Sequence, residues 1–175
     1  MAADDALRAL ILNAVPQQPP FRFIEEILEM DGERITGAYR FRRDEYFYRG
    51  HFPGRPVTPG VILIEAMAQT GVVAHGLYLS MTKLGASVDE VKKITTLFTY
   101  ADEVEFLGIV VPGERIIFRG QKVYFRQGSL KAAVTAERED GEIVCRGTLA
   151  GKGVLTPILN QSAIFVGIGN RLLDV

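Results

Sequence analysis

Two side chains in this 175-residue sequence could do proton chemistry together. His51 lies in a loop-forming run, Tyr48 to Thr58 (YRGHFPGRPVT). Its imidazole is the one group there that titrates near neutrality, which suits a general base. Phe52, Pro53, Gly54 and Pro56 stiffen the loop, so the ring can be held in one orientation. Glu65 follows as a lone carboxylate in an apolar run. Desolvation raises the pKa of such a carboxyl and keeps a proton available for a general acid. Gln69, one helical turn further on, shares its face and can orient it. The segment Pro59-Gly60-Val61 reads as a helix start, where unpaired backbone N–H groups and the positive dipole end could polarise a carbonyl. Gly60 would let a substrate approach the backbone closely. A structural role for His51, or a Glu65 satisfied by backbone or by a partner chain, accounts for the same spacing. His75, on the apolar helix and without a loop around it, reads as a core or rim histidine.

The elements that must position these groups follow from pattern. From Val61 to about Leu79 the chain is apolar nearly all round, so this helix must be wrapped by other structure. Thr58 is in place to cap it. Ahead of it, Asp4 or Asp5 caps a short helix through Leu12, and Pro16, Pro19 and Pro20 force an extended connection. Phe21 to Met30 and Arg34 to Phe41 form a hairpin about Asp31-Gly32. Behind it, Lys93 to Phe106, Arg115 to Phe125, Ser129 to Glu139 and Glu142 to Leu149 alternate as strands between turns, the pattern of an antiparallel meander. Strands before and after one buried helix predict an α+β fold with a curved sheet around it.

Composition narrows the function classes. An apolar fraction of 47% and mixed charges indicate a soluble globular chain, expected to form a single domain over 1–175 with its core at about 15–150. A net charge of −1 gives no reason to expect nucleic acid. The single cysteine, Cys145, excludes an intramolecular disulfide and a multi-cysteine zinc site, and its strand-like setting suits a packed core thiol. Glu65, Gln69 and His75 interrupt the apolar run, so a buried helix is expected and not a membrane span. Acidic residues near Met1 argue against a secretion signal, and the cytoplasm is the expected location. The cluster of Arg40, Arg42, Arg43, Arg115, Arg119, Lys122 and Arg126 reads as a solvated face, with docking of an acidic partner as the other reading. Residues 151–175 continue with a weaker pattern that fits a strand, a docked tail or an interface arm.

The run from Gly50 to Val61 (GHFPGRPVTPGV), continuing through Glu65 to Gln69 (EAMAQ), resembles the signature of the 3-hydroxyacyl-[acyl-carrier-protein] dehydratases of the FabZ/FabA type. Pro20 to Ile24 and Val110 to Glu114 agree more loosely, and the resemblance covers roughly residues 15 to 150. It implies the hotdog fold, a curved antiparallel sheet around a long central helix. By position it makes His51 the base that removes a C2 proton and Glu65 the acid that protonates the departing 3-hydroxyl. Gly60 becomes the carbonyl-polarising amide, and Val61, Phe52 and Gln69 join Gly60 as substrate-binding positions. It implies a (3R)-3-hydroxyacyl thioester on the phosphopantetheine of acyl carrier protein, a trans-2-enoyl product, and no metal or redox cofactor. The working histidine and acid come from different subunits in such enzymes, so a homodimer, often built further into a hexamer, is expected. Glutamate at 65 is similar to FabZ, where isomerising FabA-type enzymes carry aspartate. Thr58 departs from the usual methionine and Arg55 stands at a variable position, which leaves room for a relative serving another lipid or polyketide route.

Two other functions fit the same fold. In a hotdog thioesterase the helix carboxylate activates water and the histidine has no obligatory role. A non-catalytic acyl-binding hotdog protein would bind without turnover.

Overall fold

The computed structural model describes residues 2–155. Helix α1 (Asp5–Ala14) starts where Asp4 accepts the Leu7 N–H at 2.8 Å, satisfying one of the orphan donors of the first turn. Strands β1 (Glu26–Met30) and β2 (Arg34–Arg40) form the first hairpin. Its turn is held by Asp31, whose side chain accepts the N–H groups of Glu33 and Arg34. The central helix then runs from Gly60 to Leu84. Strands β3 (Ile94–Phe106), β4 (Arg115–Arg126), β5 (Ser129–Glu137) and β6 (Ile143–Leu155) complete one six-stranded antiparallel sheet in the order β1-β2-β4-β5-β6-β3.

The helix lies directly on the sheet because glycines on both sides clear the space. A Cβ at Gly120 of β4 would stand 2.8 Å from the Gly71 Cα, and one at Gly151 of β6 would stand 2.9 Å from Val72. Gly37 of β2 meets Thr70 in the same way. At this crossing, Gln69–Ala74, the helix widens into a π-turn whose six residues are all buried. Phe23, Phe41, Ile35 and Phe118, with Met67 and Leu77 of the helix, fill the space around it. Each such side chain is worth about 1.5–3 kcal/mol in area removed from water. The helix is long and apolar enough to cross a membrane, with mean hydropathy 1.4, yet 72% of that stretch is buried inside the protein itself. Its apolarity is that of a core.

Four details depart from the pattern reading. The first strand begins at Glu26 and not at Phe21, because the Phe21 carbonyl and the Phe23 N–H bond the side chain of Gln69 and so are lost to a strand ladder. The helix continues past Leu79, since Ser80 and Thr82 return their hydroxyls to the carbonyls of Gly76 and Tyr78, and it stops at Gly85 in the left-handed region, φ +71°. The strands are not a simple meander: β3 crosses to the far edge and pairs with β6. The 107–114 segment makes that crossing, tied down by Leu107 and Gly108 donating to Val144 O. Finally, β6 extends beyond Leu149 to Leu155, and the expectation for 156–175 lies outside the described residues.

Cys145 is fully buried, and burial pushes its thiol up to about 11, so it is a core residue. Three of the seven residues of the basic face are neutralised locally: Arg115 pairs with Glu26 and Glu139, Arg119 with Glu137, and Lys122 with Glu33. Arg42, Arg43, Arg49 and Arg55, around the His51 loop, are exposed and form no ion pair among the described residues.

Candidate active site

The His51 loop folds back on itself through four contacts. After a 3₁₀ turn at Tyr46–Arg49, the His51 N–H donates to Phe47 O at 3.0 Å, and the Val57 N–H donates to His51 O at 2.9 Å. The Tyr48 and Thr58 hydroxyls, both buried, lie 2.6 Å apart and tie the two ends of the loop together. The imidazole Nδ1 is 2.9 Å from Val57 O. A carbonyl can only accept, so Nδ1 carries the hydrogen and the lone pair of neutral His51 is on Nε2. The ring stacks on exposed Phe52 at 4.0 Å between centroids. Backbone and stacking thus fix a half-buried imidazole with its basic nitrogen uncommitted among the described residues.

Thr58 does not cap the helix as expected, because its hydroxyl is spent on Tyr48. Pro59 occupies the cap position, with no side-chain cap bond. The first intrahelical bond is Ile62 N–H to Pro59 O at 2.9 Å, so the N–H groups of Gly60 and Val61 precede the helical ladder and point out of the helix end. Gly60 packs against a ring: a Cβ there would lie 2.7 Å from Phe106. Val61 is the most exposed of the large apolar side chains among the described residues, at 71%.

Glu65 lies in the second turn, largely desolvated. Burial raises its pKa, opposed by hydrogen bonds from Gln69 and Gln17. Gln69 Nε2 donates to Glu65 Oε1 at 2.9 Å, so this expected partner is in contact. The Gln69 amide is itself aimed by the main chain, accepting from Phe23 N–H at 2.7 Å and donating to Phe21 O at 2.8 Å. Gln17, from the segment after α1, reaches the same carboxylate oxygen at 3.5 Å. His75 is at zero exposure, its Nε2 2.9 Å from Asp31 O, in the core position expected.

The structure therefore groups the site residues in two sets within one chain. His51 and Phe52 form a loop set, and Glu65, Gln69 and Gln17 form a helix set with the Gly60 and Val61 amides one to two turns ahead. No hydrogen bond among the described residues joins the two sets. Sequence reasoning missed Gln17 and the Tyr48–Thr58 pair. Gln17 lies in a proline-flanked connection without periodicity, and a hydroxyl pair ten residues apart leaves no spacing signal. The one usable hint was Thr58 itself, a polar residue at a position where the family carries methionine.

Comparison with known proteins places the chain. A FabA-like domain matches residues 15–148. The 3-hydroxyacyl-[acyl-carrier-protein] dehydratase FabZ of Caldicellulosiruptor bescii is 36% identical over 140 residues, covering 79% of this chain and 92% of that protein. The FabZ of Geotalea uraniireducens is 37% identical over 155 residues, 87% of this chain and 96% of that one. Among solved structures, the dehydratase heterocomplex ApeI:P from Xenorhabdus doucetiae superposes with a TM-score of 0.69 at 12% identity, over 91% of this chain and 97% of that one, a likeness of fold. With a six-stranded sheet around one long helix and these matches along most of its length, the chain belongs to the FabA-like hotdog family and, within it, to the FabZ-type dehydratases.

Proposed function

We propose that the protein is a hydro-lyase that dehydrates (3R)-3-hydroxyacyl-[acyl-carrier-protein] to the trans-2-enoyl thioester in fatty acid biosynthesis, with His51 as base and Glu65 as acid. The observation that carries the assignment of roles is the pair of opposite preparations: an imidazole held with its lone pair outward, and a carboxyl whose burial favours the protonated form. His51 Nε2 removes a C2 proton, and the electron pair passes into the C2–C3 double bond. The C3–O bond breaks as Glu65 delivers its proton, so the hydroxyl leaves as water. The N–H groups at Gly60 and Val61 hold the thioester oxygen while charge develops on it. Phe52 and Val61 flank the mouth as apolar contacts, and Gln69 keeps the carboxyl aimed. Base and acid balance the protons between them, so the scheme calls on no metal or redox cofactor.

The two sets of residues work together across a homodimer in this reading, His51 of one copy meeting Glu65 of the other. Support comes from β3, which is an edge strand with exposed Phe98, Tyr100 and Phe106, continuing into exposed Leu107 and Ile109. An edge strand that exposes several large apolar side chains, here beside Asp102, Glu103 and Glu105, is a liability unless another chain covers it. Further assembly into a trimer of dimers is open to the same surface logic. The exposed Arg42, Arg43, Arg49 and Arg55 around the loop fit an acidic acyl carrier protein presenting its phosphopantetheine arm. The buried helix suits a soluble enzyme of the cytoplasm.

The test is turnover of a 3-hydroxyacyl-N-acetylcysteamine thioester or carrier-bound substrate, followed by enoyl absorbance with a thiol reagent alongside. Enoyl product without free thiol supports the reading. Free thiol without enoyl product means a thioesterase, and binding with neither means an acyl-binding protein.

A further inference from the structure

Gln69 and Gln17 reach the same oxygen of Glu65, but only one of the two amides is locked. All the polar groups of Gln69 are committed: Oε1 to the Phe23 N–H, Nε2 to Phe21 O and to Glu65 Oε1. It can only donate to Glu65, which favours the carboxylate. Gln17 differs. Its Nε2 stands 3.5 Å from Glu65 Oε1, at the outer reach of a hydrogen bond, while its Oε1 is buried with no partner among the described residues. A buried amide oxygen without a donor is a standing penalty, and native structures keep few of them.

The chemistry of a general acid supplies the missing donor. Glu65 must be a carboxylic acid before each turnover and a carboxylate after it. The acid form has an O–H that needs an acceptor, and Gln69 has none to offer. A half-turn of the Gln17 amide exchanges its nitrogen and oxygen, placing an acceptor where the donor was. The segment that carries it is firm: Val15 N–H donates to Leu12 O, Gln18 Nε2 to Val15 O, and Phe21 N–H to Gln18 O. The influences on Glu65 are burial, Gln69 and Gln17, so Gln17 is one of only two polar handles on it among the described residues.

We propose that Gln17 is a positioning residue for Glu65, its amide donating to the carboxylate and, turned over, accepting from the carboxylic acid, so that the proton-bearing oxygen keeps one orientation through both halves of the cycle. This rests on the dehydratase reading of Glu65 as acid. It also gives α1 and the loop behind it a part in the chemistry.

The experiment compares wild type, Gln17→Met and Asn13→Ala, the last altering an exposed residue near the end of α1. Two readouts are taken: steady-state kinetics on a 3-hydroxyacyl thioester, and the infrared carbonyl band of protonated Glu65, isolated by difference against Glu65→Gln. Gln17→Met is expected to lower kcat roughly tenfold with KM within about twofold, the scale of one lost hydrogen bond to a reacting group, and to move the Glu65 band to higher frequency. Asn13→Ala leaves both unchanged. If wild type turns over and Gln17→Met matches it in kcat and band position, the positioning role is overturned and the dehydratase reading stands. A wild type without enoyl product, but with a band that moves in Gln17→Met, keeps the contact and overturns the reaction. Should Gln17→Met not fold, Gln17→Asn keeps the amide but withdraws it by one methylene. The same loss in that variant supports the role, and wild-type behaviour overturns it.

Discussion

The two histidines of this chain are anchored alike and differ in where their second nitrogen lies. Each gives one ring N–H to a backbone carbonyl, His51 through Nδ1 to Val57 and His75 through Nε2 to Asp31. Each is thereby left with a lone pair on its other nitrogen. At His51 that nitrogen lies in a half-buried loop at the helix mouth. At His75 it is Nδ1, buried in the core with no partner among the described residues, and burial pushes the imidazole pKa down. A fixed tautomer is therefore not what makes a base. What makes one is where the second nitrogen points, and here the loop places one outward and the helix places the other inward.

The sharpest way to break this contrast is to remove each ring in turn. His51→Ala should lower kcat by about three orders of magnitude, the range of a lost general base, with melting temperature nearly unchanged. A variant that kept full turnover would end the assignment. Glu65→Gln should lower kcat by roughly a hundredfold or more while raising the melting temperature at neutral pH. Its sign follows from the raised folded pKa. An unfolded glutamate ionises near pH 4.3 but the folded one later, so stability is full below that and declines as pH rises through the folded value. The variant's thermal advantage should grow across that window, and a variant that melted lower at neutral pH would contradict it.

Smaller effects sharpen the comparison. Thr58→Val keeps volume but breaks the buried bond to Tyr48, and should cost about fivefold to tenfold in kcat by loosening the His51 loop. Thr58→Ser should restore most of it, and an equal loss in both would show that the hydroxyl is not what holds the ring. His75→Phe keeps a ring against Tyr78 and should lose only about 1–2 kcal/mol of stability, by denaturant titration, with kcat per folded molecule unchanged. It should also flatten the acid side of the stability profile. The unfolded imidazole takes a proton near pH 6.5 while the buried one, facing Asp31, Glu33 and Lys122, resists it, so wild type loses stability as pH falls below that value. A wild type whose melting point did not fall from about pH 6.5 downward would remove His75 from the account.

Much of this was legible in the sequence because it depends on local composition. An all-round apolar helix has to be wrapped, a lone acid inside it has to be desolvated, and Gln69 one turn on has to share its face. These follow from periodicity, and the structure has Glu65 and Gln69 in contact. Long-range choices were not legible. Nothing in Lys93 to Phe106 says that this strand pairs with β6 instead of β4. Nothing in Phe21 to Glu25 says that a glutamine from the helix takes the bonds a strand would have used. Thr58 shows the limit most plainly: the local rule made it a helix cap, and a tyrosine ten residues away had a stronger claim on its hydroxyl.

The crossing of β3 to the far edge of the sheet also orders events in time. β3 leaves the ribosome before β4, β5 and β6, yet its ladder partner is the last of the strands among the described residues, with Ile94 opposite Leu155. Until then the strand that carries Phe98, Tyr100 and Phe106 has no mate, while β4, β5 and β6 can zip by neighbouring turns. Contacts of such sequence separation form late and slowly. The newborn chain thus spends its longest vulnerable interval with its stickiest strand bare, and β3 is where a chaperone would have most to cover.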